Sequence, residues 1–168
     1  MGSGKSHIAR QLSDYFMLPL VDLDQQIEKQ AGMSIAHIFD THGEPAFRQM
    51  EHDMLRSICS SSPCIVATGG GAPCFLGNME WMLSHGVVVW LNPPVQVLVD
   101  RLRHQKAQRP LVANLASDAA LAAELERLLQ LRKPWYSRAQ VVLDTMPVDG
   151  DKAITAIEAF LAQSAKAL

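Results

Sequence analysis

Apolar positions recur along this chain in two rhythms, a helical one and short unbroken runs, and the switching between them predicts the elements. Ile8, Leu12 and Phe16 fall at i, i+4 and i+8 within Ser6 to Phe16, one face of a helix. Pro19 breaks it, and Leu20-Val21 opens a short strand ending at Asp22. Gln25 to Gln30 reads as a short helix ending at Gly32. From Pro45 to Ile58, residues Phe47, Met54 and Ile58 form one stripe, with Pro45 near the first turn. Cys64 to Thr68 is an apolar run closed by Gly69-Gly70-Gly71, the pattern of a strand covered on both faces in a parallel sheet. Met79 to Ser84 is a weak helix, and Val87 to Leu91 is the clearest strand. Pro93-Pro94 then opens a helix carrying Val95, Leu98, Val99 and Leu102. Arg103 to Asp118 lacks periodicity and reads as a mobile loop. Leu121, Leu125, Leu128 and Leu129 define a helix stopped near Pro134. Val141 to Leu143 is a last strand, and Ile154, Ile157, Phe160 and Leu161 share one face of a final docking helix. Strands alternating with helices predict an α/β fold.

Length and composition narrow this further. The 168 residues suit one domain over 1–168, with no repeat or linker to divide it. Hydrophobic residues at 48% against 19% charged exclude disorder as the main state. Fifteen Lys+Arg against 17 Asp+Glu leave a net charge of −2, which disfavours a broad nucleic-acid or membrane footprint but not a local basic pocket. No apolar run approaches the roughly 18 residues of a membrane span. The opening MGSGKS is not a basic-then-apolar leader, so a cytoplasmic address is expected. Cys59, Cys64 and Cys74 are odd in number and lack CxxC spacing, so they read as small buried apolar residues. The six histidines lack metal spacing and read as surface residues.

The chemistry begins at the first residues. Gly2-Ser3-Gly4-Lys5-Ser6 is the second half of a phosphate-binding loop, G-x-x-x-x-G-K-[ST]. Its glycines let backbone N–H groups close around phosphate oxygens, Lys5 reaches the outer phosphates, and Ser6 suits Mg²⁺. The helix that follows adds its positive dipole end. The motif's first glycine would stand two residues before Met1, and no strand precedes the loop in the sequence. The expectation is a shortened chain, with an internal Met at its start. On that expectation the Cys64–Thr68 and Val87–Leu91 strands do not pair, but lie roughly 10 Å apart, two strand spacings.

On the acceptor side, Asp22-Leu23-Asp24 follows a strand, and alternation predicts both carboxylates on one side of the chain. One suits a water-held Mg²⁺, the other an acceptor hydroxyl; a solvated turn with Asp24 as helix N-cap is the plain alternative. Three consecutive glycines add no packing, and make sense where a ligand approaches the backbone. Arg48, Arg109 and Arg132 are the cations that an anionic acid and a triphosphate would need.

Together these residues resemble the shikimate kinase family. The match runs through MGSGKS, VDLDQQIE, GMSIAHIFDTHGEPAFRQME, ATGGG, RPLV and LRKPWYSRA, nearly the whole chain. The pairing of D-L-D-x-x-I-E with G-E-x-x-F-R-x-x-E carries the specificity. The resemblance implies a three-layer P-loop kinase fold, a central parallel sheet of five strands in order 2-3-1-4-5 flanked by helices, with the first strand absent here. It implies transfer of the ATP γ-phosphoryl group to the 3-hydroxyl of shikimate, in aromatic amino acid biosynthesis, by a monomer whose partners are ATP and shikimate rather than nucleic acid or membrane. By position, Gly2, Ser3, Gly4, Lys5, Ser6 and His7 resemble the ATP cradle; Ser6 and Asp22 the Mg²⁺ ligands; and Asp24 the residue that binds the acceptor hydroxyls and acts as base. Arg48 and Arg132 resemble a carboxylate clamp, with Gly69, Gly70 and Gly71 lining the same pocket. Arg109 resembles a lid arginine, within a lid of about 103–118, while helices of about 25–58 bind the acid. Lys5, Asp24 and Arg109 are the implied catalytic set. His7 stands where the family often has Thr. Two other classes remain open: a gluconate-type kinase, which would not accept shikimate, and a nucleotide-binding domain without turnover.

Overall fold

The computed structural model describes residues 2–58, 62–103, 115, 117–144 and 149–166. Helix α1 (Lys5–Phe16) starts directly at the glycine loop, with Gly4 as N-cap at φ 91, a conformation that glycine adopts without cost. Strand β1 (Leu20–Asp22) leads into α2 (Leu23–Ala31), closed by Gly32 in the left-handed conformation. Helix α3 runs over Ile35–Ile58, longer than the Pro45–Ile58 pattern predicts. Its backbone breaks at Gly43 (φ 76, ψ 169), and Pro45 restarts it, so two helical segments meet at a kink. Strand β2 (Ile65–Ala67) ends in the triple glycine and a 3₁₀ turn at Ala72–Cys74. Then follow α4 (Asn78–His85), β3 (Val89–Leu91), α5 (Val95–Leu102), α6 (Asp118–Tyr136), β4 (Val141–Leu143) and α7 (Gly150–Ala165).

The four strands form two parallel pairs. β1 pairs with β2, Val21 opposite Val66; β3 pairs with β4, Trp90 opposite Val142. Among the described residues β2 and β3 do not pair, in line with the sequence expectation for these two strands. The space between them opens into the main cavity.

Three buried clusters hold the elements. Ile8 and Leu12 of α1 meet Val141 and Leu143 of β4 and Ala153 and Ile157 of α7. Leu23 and Ile27 of α2 pack on Ile38, Phe47 and Leu55 of α3 and on Ala72. Val99 and Leu102 of α5 meet Leu121 and Leu125 of α6. Each fully buried Leu or Ile contributes about 1.5–3 kcal/mol.

Several predicted details differ. β2 is only partly covered, because its inner edge faces the cavity rather than a neighbouring strand. α6 runs past Pro134 to Tyr136; proline forfeits one N–H near the helix end, where one turn remains to be completed. On α7 the buried stripe is Ala153 and Ile157, and Leu161 is exposed. Cys64 and Cys74 are partly buried free thiols, whereas Cys59 lies outside the described residues. Among the described residues no helix is long and apolar enough to cross a membrane.

Candidate active site

Lys5, Asp24, Arg48, Gly70 and Arg132 all line one cavity of about 1820 Å³. Its size exceeds an ordinary small-molecule pocket because it continues into the space between the two strand pairs.

At one end lies the glycine loop. The N-cap Gly4 offers no side-chain cap, so the first N–H groups of α1 are left for another acceptor. Lys5 Nζ lies 3.4 Å from Asp22 Oδ2 and 3.6 Å from Asp24 Oδ2. The two carboxylates converge for a reason other than strand alternation. Asp22 ends β1 and caps α2, accepting the Asp24 N–H at 3.1 Å, and Asp24 sits in the first helical turn. The N-cap is therefore Asp22, not Asp24. Ser6 Oγ donates to Asp22 Oδ2 at 3.5 Å. A hydroxyl and a carboxylate side by side are hard oxygen donors that suit Mg²⁺ completed by phosphate and water. Among the described residues no group of three or more His, Cys, Asp or Glu forms a metal cage. Ser3 belongs to the loop, and His7, in the first turn of α1, is exposed.

At the other end lies a buried ion pair. Arg48 Nη1 donates to Glu51 Oε2 at 2.5 Å, while Nε and Nη2 donate to Glu44 Oε1 at 3.1 and 2.6 Å. Two of the five guanidinium N–H groups remain for a ligand. The rings of Phe47 and Phe75 stand 5.2 and 4.6 Å from the guanidinium carbon. Gly71 is required here, since a Cβ would fall 2.5 Å from Arg48 Nη1. A Cβ on Gly69 would meet Glu51 Oε1 at 3.0 Å and Asp24 Oδ1 at 3.1 Å, so the glycine turn, both carboxylates and Arg48 share one compact corner.

Glu51 is 1% exposed, and its Oε1 has no hydrogen-bond partner among the described residues. Burial raises its pKa above the ordinary carboxylate value; the Arg48 guanidinium opposes this and the Asp24 charge adds to it. The charge of Arg132 on α6 reaches Glu51, Cys74 and Tyr136. Arg109 and most of the expected lid lie outside the described residues; Arg103 at its start pairs with Asp100.

Four contributors carry no role in the sequence reading. Glu51 was findable from its i+3 spacing to Arg48, and Tyr136 from its i+4 spacing to Arg132. Arg101 donates to the Gly2 carbonyl at 3.0 Å and brings a further cation to the phosphate loop. Fully buried Asn78 donates to the Ala72 carbonyl at 2.9 Å and accepts from Arg56 at 2.8 Å, bracing the turn after the glycines. No local pattern marks Arg101 or Asn78.

Known proteins resemble this chain in sequence and in fold. Residues 1–162 match the family model described as shikimate kinase. The shikimate kinase of Flavobacterium johnsoniae is 39% identical over 153 residues, 89% of this chain and 88% of that protein. That of Phocaeicola vulgatus is 36% identical over 156 residues, 93% and 89% of the two chains. Among solved structures, a shikimate kinase from Acinetobacter baumannii in complex with shikimate superposes with a TM-score of 0.86 at 30% identity, covering 97% of this chain and 89% of that one.

Proposed function

The chain belongs to the shikimate kinase family, and on that premise we propose how its own residues carry the γ-phosphoryl group of ATP to the 3-hydroxyl of shikimate. The observation that carries the proposal is one cavity lined by Lys5, Arg48 and Arg132, in which Asp24 stands between Lys5 and the Arg48–Glu51 corner. A polyanion and a small acid held there meet over Asp24.

The glycine-loop amides and the N-terminus of α1 cradle the phosphates, with Lys5 and Arg101 balancing their charge. Arg109, which lies outside the described residues, is the cation that the family resemblance assigns to the same phosphates. Ser6 and Asp22 would hold Mg²⁺, which when bound neutralises phosphate charge. Arg48 and Arg132 grip the carboxylate of the acid, since guanidinium matches carboxylate in a two-pronged way. Gly70 and Gly71 admit the ring close to the backbone. Glu51 Oε1, buried and unpartnered among the described residues, accepts from a substrate hydroxyl. Asp24 aligns the 3-hydroxyl and takes its proton as the phosphoryl group arrives. The transition state is loose, so positioning and charge balance supply most of the rate. A monomeric enzyme in the cytoplasm is part of the same proposal.

Coupled ADP release, measured with and without shikimate, tests it. The expected result is ADP formation that needs shikimate and is not supported by gluconate. ADP release indifferent to shikimate, or nucleotide binding without turnover, overturns it.

A further inference from the structure

The two clamp arginines come from different helices, Arg48 from α3 and Arg132 from α6, and something must set their spacing. Tyr136 closes α6 one turn after Arg132. Its hydroxyl donates to the Gly70 carbonyl at 2.5 Å, and the Arg132 side chain stands at i−4 on the same helix face. The phenol oxygen thus spends its donor on the glycine turn and keeps an acceptor lone pair on the side of Arg132. The Trp90 ring of β3, 5.4 Å away centroid to centroid and tilted by 49°, packs against the tyrosine ring. Burial lifts the hydroxyl's pKa, outweighing the pull of Arg132, so it keeps the proton it donates.

The far side of the contact matters as much. The peptide joining Gly70 and Gly71 is planar, so fixing its carbonyl fixes the orientation of the whole unit. Gly71 lies flush against the Arg48 guanidinium, too close for any Cβ. Tyr136 therefore shares a helix face with one arm of the clamp and reaches the other through a single rigid peptide. We infer that Tyr136 is a positioning residue that sets the spacing between Arg48 and Arg132 by tying the α6 turn that carries Arg132 to the Gly70 carbonyl. The inference rests on the clamp reading above and adds what holds the clamp at its working width.

The test is Tyr136→Phe, which keeps the ring and removes only the hydroxyl. The shikimate KM is expected to rise about tenfold, equivalent to ~1.4 kcal/mol, with kcat and the ATP KM unchanged. In an Arg132→Ala background the same change is expected to cost under about threefold, because the shared partner is gone. Amide exchange over Gly69–Ala72 is expected to speed up in Tyr136→Phe. An unchanged KM, or equal costs in both backgrounds with a matching fall in Tm, overturns the positioning role. Failure of the parent chain to need shikimate overturns the functional reading instead; the exchange rate of the glycine segment then decides on Tyr136, and an unchanged rate refutes it.

Discussion

Lys5 meets Asp22 and Asp24 at 3.4 and 3.6 Å, with 28% of its side chain in solvent. Arg48 and Glu51, at the other end of the cavity, touch at 2.5 Å with 7% and 1% exposed. Both are cation–carboxylate groupings, yet they are built for different work. A loosely held lysine can exchange carboxylate for phosphate at each turnover, because screened contacts at that distance contribute little. A buried arginine cannot leave its partner, because an uncompensated charge in the interior costs several kcal/mol. On the proposed reading, the phosphate end is adjustable and the acid end is prepared before its ligand arrives.

The sharpest way to separate the two ends is Asp24→Asn. It is expected to lower kcat by about 10²–10⁴-fold and leave ATP affinity intact, since the lost group is the acceptor's proton partner. Steady-state kinetics in both substrates decide this, and near-normal turnover would remove Asp24 from that role. Arg48→Ala comes next. The loss of a buried charged partner, worth roughly 2–5 kcal/mol, is expected to raise the shikimate KM at least ~30-fold, with the ATP KM little changed. An unaltered shikimate KM would sink the clamp.

The smallest effects come from the two carboxylates of Arg48 itself. Glu51→Ala is expected to destabilise by about 3 kcal/mol, and Glu44→Ala, with 44% of its side chain exposed, by less than ~1 kcal/mol, both read from thermal denaturation. The pH dependence has a definite sign. The raised pKa of Glu51 means that its contribution is fully present below the ordinary carboxylate range. That contribution is lost as pH climbs through the raised value. The stability gap between parent and Glu51→Ala should thus be wider at about pH 5 than at about pH 8. A gap that widens with pH would mean that the Arg48 attraction outweighs desolvation.

Much of this was legible in the linear chain. Among the described residues, periodicity locates every strand and most helices, because short apolar runs and i, i+4 stripes report burial directly. The helix residues before Pro45 escaped notice, since the Gly43 kink interrupts the stripe. Apolar spacing predicts Phe47, Met54 and Ile58 as the α3 stripe, but of these only Phe47 is buried; its buried companions include Arg48 and Glu51, which a hydrophobic pattern cannot register. Asp22 and Asp24 were correctly brought together, but by helix capping rather than strand alternation. The bonds from Tyr136 to Gly70 and from Arg101 to Gly2 span 66 and 99 residues, and no local signal encodes such contacts.

Arg48 belongs to the half built on the first strand pair, and Arg132 to the helix leading into the second. On the proposed clamp, an acid held by both links these two parts of the fold. By mass action its binding stabilises the joined form by RT ln(1 + [L]/Kd), about 2.7 kcal/mol at a hundredfold excess over Kd.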